Sequence, residues 1–203
     1  MNEAYKQIKE LIIPEKTITE NCIYLYDYYK KNEISEHVIR VGEKAVELGS
    51  RSNFKIDELM TAAYLHDISG VIDRKKYLDI VDMEKIEVCD EEKKYPLLLH
   101  QKISRNIAEK CFDIDSENVL SAIECHTTLK AHASLFDMII FISDKLEWDQ
   151  KDKPGYYDEV NNAIGLSIKD GVAKFLEYQM KNKESMLIIH PWLNNAFIDI
   201  CKK

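Results

Sequence analysis

Six residues carry most of the chemistry that this sequence can offer: His37, His66, Asp67, His100, His126 and Asp144. His37 lies on the same helical stripe as Val41, Ala45 and Leu48, so its imidazole stands where an apolar side chain would face a core. Leu59, Ala62 and Ala63 lead to His66, and Val119, Ala122 and Ile123 lead to His126. His100 opens a stripe of Ile103 and Ile107, and Asp144 follows Ile140 and Phe141. Burying these imidazoles and carboxylates separately would incur a desolvation penalty at each, whereas a bound cation compensates all of them at one place. The set holds only nitrogen and oxygen ligands and exceeds the four of a closed structural zinc site. It therefore points to one or two catalytic metal ions, with iron or manganese as well suited as zinc.

Other residues near this set could contact a substrate: Lys145 stands beside Asp144, and Thr127, Thr128 and Lys130 follow His126 where a helix should end in a loop. Arg105 stands one turn after Gln101 on the helix of His100, and Trp148 could stack a base, although an aromatic beside a turn more often packs. His132 and His190 are read as outside the metal shell, His190 as a cap on the last helix, and Cys125 as a buried apolar residue.

The elements that must position these groups are helical. The chain has 203 residues, 45% of them hydrophobic, with only 6 Gly and 4 Pro, which describes one all-α globular domain. Apolar periodicity predicts helices near 2–12, 18–31, 34–50, 56–68, 74–82, 97–111, 116–126, 134–147 and 157–181, and a last one opening at Pro191. A long turn is expected at 148–157. Residues 1–31 read as a helical extension, 32–150 as the metal-binding core and 151–203 as C-terminal helices. A net charge of −8 argues against a nucleic-acid partner. The N-terminus lacks the pattern of a secretory signal, no apolar run reaches membrane-spanning length, and five cysteines form no CxxC pair; a cytoplasmic protein is expected. Tyr24, Tyr26, Tyr28 and Tyr29 supply packing surface, or a homodimer contact.

With these residues in place the sequence resembles the HD superfamily of metal-dependent phosphohydrolases, marked by a His, a His-Asp doublet and a later Asp on a helical bundle: here His37, His66-Asp67 and Asp144. His100 in LLHQ and His126 in CHTT make it similar to the YqeK-type branch, the dinuclear-iron symmetrical diadenosine tetraphosphatases. HVIRVGEKAVEL, AAYLHD, AIECHTT, FISDKLE and IHPWLNNA support the likeness. The resemblance implies two metal ions bridged by Asp67, one completed by His37, His66 and Asp144 and the other by His100 and His126. The chain departs from that family near the substrate. Leu129, Lys130, Ala131, His132 and Ala133 replace a Gly-Arg-x-Gly-Met stretch, Trp148, Asp149 and Gln150 replace Pro-Gly-Arg, and Ile68-Ser69-Gly70 stands where an Ala-Lys pair is common.

The function so implied is hydrolysis of a nucleoside polyphosphate, diadenosine tetraphosphate cleaved symmetrically to two ADP, with a metal-activated hydroxide as nucleophile and Asp67 and Lys145 as the catalytic protein groups. A nucleotidase or phosphatase acting on another nucleotide is the enzymatic alternative. A nucleotide-binding regulator without turnover is the other.

Overall fold

The computed structural model describes residues 1–50, 52–147 and 153–202, and within them the chain is all-α, with no strand. Its helices are α1 (Glu3–Leu11), α2 (Ile18–Tyr28), α3 (Asn32–Gly49), α4 (Ile56–Leu65), α5 (Tyr77–Glu84), α6 (Asp90–Lys94), α7 (His100–Cys111), α8 (Glu117–Cys125), α9 (Leu135–Leu146), α10 (Tyr157–Ile164), α11 (Ile168–Lys181) and α12 (Pro191–Cys201). No described helix is long and apolar enough to cross a membrane.

Local chemistry explains several starts. Thr17 and Glu20 form a reciprocal capping box on α2, Ser134 and Asp137 form another on α9, and the Ser167 side chain accepts the Asp170 N–H at the head of α11. Pro191 occupies the first turn of α12, where its missing donor is not needed, and the His190 ring accepts the Trp192 N–H as the expected cap.

Two apolar cores meet along α9. Phe136, Ile139 and Ile140 join a large core built from α1 to α5, α7 and α8, while Met138, Phe141, Ile142 and Leu146 join a smaller one with α10 to α12. A helix apolar on nearly every side must be enclosed on every side, and α9 is. Helices α3, α4 and α8 pack against it, with α7 on α8, so the strands of chain bearing the six metal-candidate residues are neighbours. The first two helices belong to the large core through Tyr5, Ile8, Cys22, Leu25 and Tyr26. Tyr26 is fully buried, whereas Tyr28 is exposed and Tyr24 and Tyr29 lie between.

Some expected boundaries move. The helix expected at 157–181 is two, because Gly165 ends α10 and Ser167 caps a fresh start. Helix α4 stops at Leu65 rather than 68, and a 3-10 turn, Ile68–Val71, follows the His-Asp doublet. A second 3-10 turn, Arg74–Lys76, precedes α5, and the helix expected from 97 begins as the 3-10 turn Pro96–Leu99 before His100. The short α6 has no apolar stripe and was not expected. Of the turn expected at 148–157, residues 148–152, with Trp148, Asp149 and Gln150, lie outside the described residues.

Candidate metal centre

The last carbonyls of a helix have no intrahelical donor and must find one elsewhere. At the end of α4, Ala63 O accepts from the His66 ring at Nδ1, 2.6 Å away, and Tyr64 O accepts the Tyr26 hydroxyl at 3.0 Å. At the end of α8, Ile123 O accepts from His126 Nδ1 at 2.8 Å, and in the 3-10 turn before α7, Leu97 O accepts from His100 Nδ1 at 2.7 Å. Each of these histidines lies three residues beyond the carbonyl it satisfies. The consequence is chemical: Nδ1 carries the proton, and Nε2 is left as a lone pair.

The three lone pairs converge with His37 and two carboxylates. His100 Nε2 and His126 Nε2 are 3.0 Å apart, and each lies 3.5 Å from Asp67 Oδ1. The other Asp67 oxygen, Oδ2, is 3.6 Å from His66 Nε2. Asp144 Oδ1 is 3.0 Å from His37 Nε2 and 3.7 Å from His66 Nε2. His37, His66 and Asp67, then His66, His126 and Asp144, then Asp67, His100 and His126, form overlapping groups whose ligand atoms lie within 4.8 Å of one another. The imidazoles stack edge to face from His37 through His66 and His126 to His100.

These residues fit metal ions. His66 Nε2 is buried without a hydrogen-bond partner, and His126 Nε2 faces another nitrogen lone pair and a carboxylate oxygen. Such contacts are repulsive unless a proton or a cation lies among them. Protons are disfavoured: burial holds His66 down, to about 4, despite the neighbouring Asp67, and burial likewise lowers His100 and His126. For Asp67, burial pushes the carboxyl up, and the His66, His126 and His100 rings, where they carry a proton, pull it well below its usual range. Burial also raises Asp144, and Lys145 with the His37 and His66 rings reverses the effect. Neutral imidazoles and ionised carboxylates are the states that bind divalent ions.

The surroundings hold these side chains in place. Ser104 donates to Ser69 Oγ at 3.0 Å, Ser69 donates to His100 O at 3.1 Å, and the Tyr77 hydroxyl donates to Ser69 O at 3.1 Å, which ties the segment after Asp67 to α7. Lys145 Nζ lies 2.6 Å from Asp144 Oδ2, and the Thr127 hydroxyl lies 2.9 Å from His100 Nε2. Asp67 and His100 open onto a cavity of about 710 Å³ whose wall includes Lys31, Ile34, Gly70, Asp73, Arg74 and Tyr77.

The remaining residues singled out from sequence fall elsewhere. Thr128 is buried and its hydroxyl donates to Leu129 O at 3.0 Å. Arg105 and Lys130 line a separate depression, Arg105 Nε at 3.7 Å and Lys130 Nζ at 3.9 Å from Glu124. His132 is largely exposed beside Asp199, and Cys125 is buried as expected. Lys31 and Arg74 were not anticipated. A run of three cations, Arg74-Lys75-Lys76, just beyond the His-Asp doublet was the available signal for one of them.

Another group of ligand types, Cys89, Glu92 and His190, shows the opposite protonation. His190 Nδ1 accepts the Trp192 N–H at 3.1 Å, so Nε2 bears the proton and turns to Cys89 Sγ at 3.6 Å and Glu92 Oε1 at 3.3 Å. Glu92 is held down, to about 2: burial opposes this, but His190, Lys102 and the Cys89 N–H prevail. This is a structural network pinning α12 to α6 and α7.

Comparison with known proteins agrees with this geometry. Residues 34–149 match the family model of the HD domain. An uncharacterized protein in the pepC 5' region of Lactococcus lactis subsp. cremoris is 33% identical over 143 residues, 70% of this chain and 72% of that one. A symmetrical bis(5'-nucleosyl)-tetraphosphatase of Staphylococcus aureus is 30% identical over 112 residues, 55% of this chain and 57% of its own length. The crystal structure of a predicted HD superfamily hydrolase involved in NAD metabolism from Clostridium acetobutylicum superposes with a TM-score of 0.73 at 26% identity, covering 98% of this chain and 97% of that one.

Proposed function

The chain belongs to the HD-domain family, a family of metal-dependent hydrolases, and from that premise we propose that it hydrolyses nucleoside polyphosphates, with diadenosine tetraphosphate cleaved to two ADP as the reaction. In this reading His37, His66 and Asp144 would hold one metal ion, His100 and His126 a second, and Asp67 would contribute to both. Iron is the expected metal, with manganese or another divalent ion as substitute. When bound, such ions supply an activated water near neutral pH and charge stabilisation on the attacked phosphoryl group and the departing oxygen. The observation that carries the reading is the convergence of Nε2 lone pairs, fixed by Nδ1 hydrogen bonds, around Asp67.

The protein's own part is positional. The helix-end carbonyls of Ala63, Leu97 and Ile123 lock three rings in the tautomer that ligates, as outer partners of metal-bound histidines do. Lys145 neutralises the Asp144 carboxylate oxygen that faces away from His37 and keeps that group ionised, and in this reading it would stabilise the leaving group. Thr127, whose hydroxyl touches His100, is in this reading the nearer of the two threonines to the substrate. A nucleotidase acting on another nucleotide is the second reading, favoured because Leu129, in the segment 129–133 that departs from the family pattern, is buried in the smaller core rather than reaching the site.

The test is anaerobic purification, loading with iron or manganese, incubation with diadenosine tetraphosphate and separation of nucleotides by ion exchange, beside a His66→Ala control. ADP as sole product from the wild type alone is the expected outcome. Intact substrate with two metals bound per chain would remove the tetraphosphatase assignment and leave the metal centre standing.

A further inference from the structure

The chain carries a net charge of −8, so a polyanion approaching the metal centre meets an unfavourable overall field unless the approach is locally cationic. Two cations meet that need. Lys31, in the connection between α2 and α3, and Arg74, in the 3-10 turn after the His-Asp segment, both line the 710 Å³ cavity onto which Asp67 and His100 open. Neither makes an ion pair or a side-chain hydrogen bond among the described residues, whereas Arg105 and Lys130 face Glu124. Asp73, the carboxylate that shares their wall beyond Asp67, accepts the Lys75 N–H at 3.0 Å.

The backbone presents this pair with little room between the segments. Gly70 lies in the wall, and a Cβ there would come 2.4 Å from Ile34 Cδ1, so the turn after Asp67 and the first turn of α3 approach closely. Tyr77, buried, fixes that turn through its bond to Ser69 O, and Arg74 is thus carried on a supported loop. Lys31 is fixed through its backbone N–H to Tyr26 O at 2.7 Å. Their side chains remain exposed or half-buried and available.

We propose that Lys31 and Arg74 form a phosphate-chain subsite that holds the phosphates of the substrate farther from the metal centre, and so select for three or more phosphates over one. The inference rests on the reading of the site as a nucleoside polyphosphate hydrolase, but phosphate-chain binding can be measured without turnover. Guanidinium and ammonium groups suit the task differently, Arg74 as a two-pronged donor and Lys31 as a mobile point charge.

The experiment uses the manganese-loaded full chain and follows binding by calorimetry, with inorganic tripolyphosphate and orthophosphate as probes in excess manganese. Variants are Lys31→Met, Arg74→Gln and Arg74→Lys, with Lys169→Gln on exposed α11 surface as control. Tripolyphosphate affinity should fall about tenfold in Lys31→Met and Arg74→Gln, recover partly in Arg74→Lys and hold in the control, while orthophosphate affinity changes less than twofold in all. Variants binding tripolyphosphate as tightly as the wild type, or losing both probes equally, would overturn the subsite. A wild type that hydrolyses no nucleotide yet shows the tripolyphosphate pattern would instead refute the proposed function and leave the subsite intact. Comparing a nucleoside triphosphate with tripolyphosphate then tells whether the nucleoside adds to a subsite that reads the phosphate chain alone.

Discussion

Stripped of metal, the protein should become unstable in mild acid, and His66 allows the size of the effect to be worked out. Its ring is fully buried and titrates at about 4 in the folded chain, against about 6.5 when the chain unfolds. The unfolded chain therefore takes up the proton first. Stability from this residue is fully present above pH 6.5 and is lost progressively as pH falls toward 4, amounting to about 2 to 3 kcal/mol between pH 7.5 and pH 4.5. His100 and His126, also held down by burial, push in the same direction, and Asp67 and Asp144, held below the ordinary carboxyl range, add to the loss only at pH values below this window. Urea unfolding of chelator-treated protein, followed by circular dichroism at the two pH values, measures the loss, and His66→Gln should reduce it by about 2 kcal/mol. Wild-type and variant stabilities falling in parallel would refute the assignment of a neutral, lone-pair-bearing His66. The same proton competes with a cation for Nε2, so metal content after dialysis should drop across the same window.

Lys145→Met should keep the wild-type metal content, assayed by elemental analysis, yet lower turnover by about 10- to 100-fold, as loss of a partner that tunes a ligand does; because Asp144 loses the ammonium at 2.6 Å, the acid limb of the pH–rate profile should move to higher pH. Glu92→Ala removes the counter-charge 2.9 Å from the buried Lys102 ammonium and leaves it only the Glu87 carbonyl and the Trp192 ring, and should cost about 3 kcal/mol in urea unfolding without changing metal content. Loss of metal in that variant would contradict the structural role given to the Cys89, Glu92 and His190 group.

The metal candidates were legible because they break a pattern. His37 at the head of the stripe of Val41 and Ala45, or His126 after Ile123, places a polar ring where the binary code demands an apolar one. The division of 157–181 into α10 and α11 was less visible, since Gly165 and Ser167 are each tolerated inside a helix and only the Ser167 bond to the Asp170 N–H makes them a boundary. The pair of Glu92 and Lys102 left no trace, because an acid and a base on a short polar helix and its neighbour read as solvated surface until tertiary packing closes over them.

Tautomer and charge at the site arise from a level that periodicity does not address. Helix propensity tells where α4 and α8 run, but which ring nitrogen of His66 or His126 faces the cluster depends on a helix terminating one residue before it, so that a carbonyl three residues back lacks a donor. Had α4 continued through Ile68, as the apolar run suggested, Ala63 O would bond the Asp67 N–H instead, Nδ1 would lose its acceptor and the ring could present either nitrogen. The early stop at Leu65 is thus part of the site's chemistry. The 3-10 turn that replaces the missing helical turn then swings Ser69 onto α7 and brings Arg74 to the cavity wall, so one boundary sets both the His66 tautomer and the position of the nearby cation.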